Sequence, residues 1–125
     1  MKPSDKLSPH FRLAEFLHDG SMEGVTLDVI ENLRALANEL EGVRKLLGDK
    51  PIHIDSGFRT EEHNRAVGGV KGSQHLYGKA ADIVVTEVPP HKVQKALADW
   101  PGGMGSYTNF THLDIRGFRA RWSGQ

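Results

Sequence analysis

Apolar residues recur at spacings of three and four through Leu27, Ile30, Leu33, Leu36, Ala37, Leu40, Val43 and Leu47, the period of a helix with one buried face. Thr26 precedes the run as a cap, Asp28 stands in its first turn, Arg44 and Lys45 in its last, and Gly48 follows, so a helix is predicted over 27–47. Gly42 inside it costs about 1 kcal/mol against alanine, which the apolar face absorbs. After Pro51 the pattern changes to alternation, and IHIDS (52–56) predicts a strand. Thr60 caps a short helix over 60–67, GGVKGSQ (68–74) reads as a glycine-rich loop, and ADIVV (81–85) as a second strand. Pro89 and Pro90 open a further helix with Val93, Ala96, Leu97 and Trp100 on its apolar face, ended by Pro101, Gly102 and Gly103. MGSY, FTHLDI and FRARW, within 104–122, predict short antiparallel strands. Ahead of these, residues 1–10 are polar, carry two prolines and read as an extended arm; FRLAEFL (11–17) reads as a helical turn and HDGSMEG (18–24) as a loop. Strands gathered late in the chain and flanked by helices predict an α+β fold, a single small domain with an antiparallel sheet.

A chain of 125 residues suits one domain, 1–125, with one core. Its 16 basic and 16 acidic residues cancel, and no basic run interleaves with aromatics, so neither nucleic acid nor a membrane surface is expected as a partner. A monomer is expected. No stretch approaches the roughly 20 apolar residues of a membrane helix. MKPSDKLSPHFRL has no apolar run of the secretory kind, which predicts a protein made in the cytoplasm and reaching any target outside it after release or export by another route. GGVKGS lacks the spacing of a phosphate-binding loop. The absence of cysteine excludes disulfides, thiolate metal sites and a cysteine nucleophile, so a zinc site must be built from the seven histidines and the carboxylates.

The segment SQHLYGKAAD (73–82) places His75 at the end of a glycine-bearing loop and Asp82 at the entry to a strand. Gly78 permits a tight turn between them, and Ala80 and Ala81 let backbones approach. A third metal ligand is available in FTHLDI, where His112 and Asp114 share a strand face with Phe110 while Thr111, Leu113 and Ile115 point the other way. Two imidazoles and a carboxylate from separate segments form the donor set of catalytic zinc, which leaves a fourth position for water and brings its pKa from about 15.7 toward about 7. The plainer readings are a loop–strand hydrogen bond for His75 and Asp82, pairing of Arg59 with Glu61, Glu62 or Asp55, and pairing of Asp114 with Arg116 or Arg119. His10, His18, His53, His63 and His91 read as surface or loop residues, although His53 shares a strand face with Asp55; Trp100 and Trp122 read as packing.

The pattern S-x-H-x-x-G-x-A-x-D, present as Ser73, His75, Gly78, Ala80 and Asp82, resembles the signature of zinc D-Ala-D-Ala carboxypeptidases and related peptidoglycan peptidases, the M15 peptidase family. SGFRT (56–60), HNRAVGG (63–69), GGMGSY (102–107) and FTHLDIRG with RARW (110–122) resemble its short phage-type branch, so the likeness spans roughly residues 7–122. The resemblance implies the hedgehog/DD-peptidase fold and a zinc ion (Zn2+) held by His75, Asp82 and His112. It further implies that Arg59 binds substrate and steadies an oxyanion, and that Ser73 orients the first ligand or touches substrate. The implied reaction is hydrolysis of peptide bonds in peptidoglycan stem peptides or cross-links. One position departs from the pattern. Relatives carry Glu or Asp three residues before the last zinc histidine, where this chain has Asn109. An amide takes no proton from water, so either Asp114 serves as the base, or the base comes from elsewhere, or the enzyme is weak; Asp114 is the candidate. The competing expectation is a zinc-holding wall-binding module without catalysis, such as a phage structural component.

Overall fold

The computed structural model describes residues 1–125. The three–four spacing forms helix α1 (Leu27–Leu46), and the Thr26 hydroxyl accepts from Val29 N at 3.2 Å to cap it. Val29, Leu33, Leu36, Ala37, Leu40 and Val43 are buried, whereas Leu27, the first residue of the expected stripe, is 79% exposed.

The alternating segments form β3 (Ile52–Ser56), β4 (Ala80–Val85), β5 (Gly103–Ser106), β6 (Thr111–Asp114) and β7 (Ala120–Ser123), in the sheet order β3-β4-β6-β5-β7. The first three pairings are antiparallel, but β7 runs parallel to β5, so the expected antiparallel sheet is mixed. The cause is positional. β6 is already flanked by β4 and β5, so the chain leaving it crosses β5 and adds at its free edge, antiparallel to β6 and therefore parallel to β5. Ile52, Ile54, Ala81, Ile83, Val85, Met104 and Leu113 join the buried face of α1 in one core. The opposite face of the sheet carries a row set by register: Ser56 opposite Asp82, Asp82 opposite His112, His112 opposite Gly105, Gly105 opposite Trp122.

The arm expected over residues 1–10 is folded down. Within it β1 (Lys6–Ser8) pairs with β2 (Phe11–Arg12), and Glu41 of α1 accepts from Ser8 Oγ at 2.6 Å and His10 N at 2.7 Å. One 3-10 turn covers Leu13–Phe16 within the expected helical turn, and another, His18–Gly20, replaces part of the expected loop. Thr60 caps α2 (Glu61–Ala66), and α3 (Pro90–Ala96) starts at the proline pair. No helix is long and apolar enough to cross a membrane.

Candidate metal centre

His75 sits on a 3-10 turn, Gln74–Tyr77, where the sequence pattern suggested the end of a loop. Ser73 caps that turn, its Oγ accepting from His75 N at 3.2 Å. Gly78 closes it at φ +73°, and any Cβ there would press on Val29 O at 3.0 Å, so glycine alone seats the turn against α1. His75 Nδ1 donates to Gly57 O at 2.7 Å; because a carbonyl only accepts, the Nε2 lone pair is left facing Asp82 Oδ1, 3.3 Å away. On the neighbouring strands His112 Nδ1 lies 3.0 Å from the same oxygen, and His112 Nε2 meets Asp114 Oδ2 at 2.8 Å. One ligand atom from each of His75, Asp82 and His112 therefore lies within 4.8 Å of the others, and all three residues are buried.

This donor set fits a divalent cation. Each imidazole has its outer nitrogen engaged by an oxygen and its inner nitrogen turned toward Asp82, the arrangement that orients metal-binding histidines. Positive charge is favoured at this point. Burial pushes the Asp82 carboxyl up, but the His112 and His75 imidazoles, when a proton in place of a metal sits on the nitrogens facing it, outweigh burial and hold the group ionised far below the usual carboxylate range. Burial likewise disfavours the His112 imidazolium, yet Asp114 and Asp82 outweigh it and raise its pKa.

Asp114 stands in a different place from that expected of a base. It is fully buried, and its oxygens accept from Gly103 N at 2.9 Å, Arg116 N at 3.2 Å, Arg116 Nε at 2.8 Å, Arg116 Nη2 at 2.7 Å and His112 Nε2. The His112 ring separates it from the ligand cluster. Its lone pairs are occupied and it does not line the groove, so taking a proton from water there does not match its geometry. Asn109, the departing position, is exposed on a turn and also stands outside the groove lining.

Arg59 donates to Ser56 Oγ at 3.0 Å, Asn64 Oδ1 at 3.2 Å and Asp82 Oδ2 at 3.4 Å, instead of pairing with Glu61, Glu62 or Asp55. Burial pushes its pKa down and Asp82 opposes that. Asn64 escaped the sequence reading. It is 3% exposed, donates to Val70 O at 2.9 Å, and fills the space a side chain on Gly69 would need. The available signal was the Gly68-Gly69 pair directly after a helix.

His75, Asp82 and His112 lie on the floor of a groove of about 540 Å³. One wall, on the β3 side, is Arg59, Val67–Val70 and Ser73; the other, on the β5–β7 side, is Tyr107, Phe110, Arg116 and Trp122. Trp122 was expected to be packing and is instead part of that wall, 5.0 Å from the His112 ring, with Nε1 donating to the Tyr107 hydroxyl at 2.9 Å. Trp100 does pack in the core, and its Nε1 donates to Asp114 O. His53 pairs with Asp55 at 3.2 Å, both of them solvent-exposed, and His18 stacks on His63 at 4.0 Å; none of these lines the groove.

The family described as Peptidase M15 matches residues 9–114. A zinc D-Ala-D-Ala carboxypeptidase of Streptomyces albus G is 47% identical over 45 residues, a stretch that covers 36% of this chain and spans only 18% of that protein's length.

Proposed function

The chain belongs to the peptidase M15 family, and from that premise we propose that it is a zinc-dependent peptidase acting on peptide bonds of peptidoglycan stem peptides or their cross-links. The observation that carries the proposal is the convergence of His75, Asp82 and His112 on one point at the floor of an open groove. These three residues would hold zinc. When bound, zinc supplies Lewis acidity toward a carbonyl and toward water.

The chain's own groups do the rest. Gly57 O and Asp114 fix the two imidazoles with their inner nitrogens toward Asp82. Ser73 holds the turn that presents His75. Arg59, kept in place by Ser56 and Asn64, puts a cation at the ligand cluster where negative charge develops on a hydrolysed carbonyl. Valine side chains on one wall and aromatic rings on the other exclude water from a bound peptide.

A second reading is favoured by one feature: Asp82 is the only carboxylate lining the groove, so no free acid stands ready to carry a proton. On that reading the chain binds wall peptides without cutting them. Incubating zinc-loaded protein with purified peptidoglycan and following newly exposed amines by mass spectrometry separates the two. Fragments that appear with the native chain and vanish in His75→Ala support the peptidase; retention on peptidoglycan without fragments refutes it.

A further inference from the structure

Tyr107 stands half-buried on the turn between β5 and β6, on the wall of the groove away from Arg59. Much of the surrounding structure serves to hold it. Phe110 stacks on its ring at 4.4 Å with the planes 9° apart. Gln94 of α3 donates to Tyr107 O and to Thr111 Oγ1, both at 3.1 Å, which pins the turn. Gly105 and Gly124 clear space beside the ring: a Cβ at 105 would lie 2.8 Å from Cε2 of Tyr107, and one at 124 would lie 2.5 Å from Cε1. Trp122 Nε1 then fixes the hydroxyl. A half-exposed ring gains less from burial than a core residue does while still losing rotamer freedom, so such ordering has to be explained by something other than packing.

The hydroxyl accepts the bond from Trp122, and its own proton has no acceptor within the protein. Both guanidiniums of the groove are already bonded to carboxylates, Arg59 to Asp82 and Arg116 to Asp114. Tyr107 is therefore a directionally fixed hydroxyl on the aromatic wall whose proton is free, beside Arg116, of which Nε and Nη2 are committed to Asp114.

We propose that Tyr107 is a substrate-contacting residue whose hydroxyl, aimed by Trp122, donates a hydrogen bond to a carbonyl oxygen of the bound peptide. This rests on the peptidase reading above and adds to it a contact on the side opposite Arg59. Tyr107→Phe removes one oxygen and keeps the stack on Phe110, and water from the groove can take that oxygen's place beside Trp122 Nε1. With zinc-loaded protein and a stem peptide, kcat is expected to fall roughly 10- to 100-fold, with zinc stoichiometry and Tm unchanged. An unchanged kcat/KM overturns the proposal, and so does an activity loss that merely tracks lost zinc or a lowered Tm. If the native chain cleaves nothing, the peptidase reading fails on its own, and calorimetric titration of the same peptide decides for Tyr107. Weaker binding by Tyr107→Phe then upholds the contact; equal affinity, or no binding by the native chain, overturns it.

Discussion

Asp114 has no contact with solvent yet accepts five hydrogen bonds, three of them from Arg116 and one from His112, so its charge is committed to holding two side chains of the groove. A carboxylate that orients a ligand histidine affects the metal before it affects the reaction. Asp114→Asn is accordingly expected to weaken zinc binding about 10- to 100-fold, measured by competition with a chelating dye. A residue acting as the base would give the opposite pattern, with zinc affinity intact and turnover lost. Arg59 poses a different case, because its three nitrogens reach three separate acceptors on Ser56, Asn64 and Asp82. Lysine keeps the charge but lacks the fork. Arg59→Lys is expected to retain zinc, read by elemental analysis, while kcat drops about tenfold or more.

Two elements show how neighbouring strands create the site. Gly103 and Gly105 stand two apart on β5 and so share a face. Asp114 and Arg116 occupy the space a Cβ on Gly103 would need, and Trp122 and Tyr107 occupy the space beside Gly105. In Gly105→Ala the new Cβ would lie 2.6 Å from Trp122 Cε2, with little room to yield. The expected cost is about 1–3 kcal/mol, seen as a lower midpoint in urea unfolding. Alternation along FTHLDI revealed the face shared by His112 and Asp114, but not that glycines on the next strand make room for their partners. That knowledge needs register, which a single strand does not carry. The N-terminal hairpin was equally hidden, since residues 1–10 are polar and their anchor, Glu41, lies far along the chain in α1. Burial alone would raise the Glu41 pKa, but hydrogen bonds from Ser8 and His10 outweigh it and lower the pKa from 4.5. A depressed carboxylate stabilises the fold above its unfolded pKa and loses that contribution as pH falls through the folded value. Glu41→Gln is therefore expected to cost about 1–2 kcal/mol at pH 7, and the gap to the native chain should close in denaturation curves taken below about pH 4.

Across the whole molecule, one sheet face builds the core with α1 and the other carries the row of candidate ligands, so the core and the proposed metal site draw on different side chains. This division explains what was readable. The candidate ligands come from short segments with strong local signals, the glycine turn at 78 and the H-x-D strand. The aromatic wall depends on β7 reaching the free edge of β5, a choice no local pattern announces. The same division separates two effects of zinc. The core contains none of the ligands, so the fold should persist without metal, while a buried carboxylate facing two histidine nitrogens gains from a cation. A ligand that binds only the folded state at about 100 times its Kd adds about 2.7 kcal/mol, which for a domain of this size raises Tm by about 10 °C. Zinc added to chelator-treated protein should give a rise of that order in a thermal scan. His75→Ala should keep its far-ultraviolet circular dichroism and lose the zinc-dependent rise. A native chain whose Tm ignores zinc would mean that residues 75, 82 and 112 are held together by hydrogen bonds alone and do not share an ion.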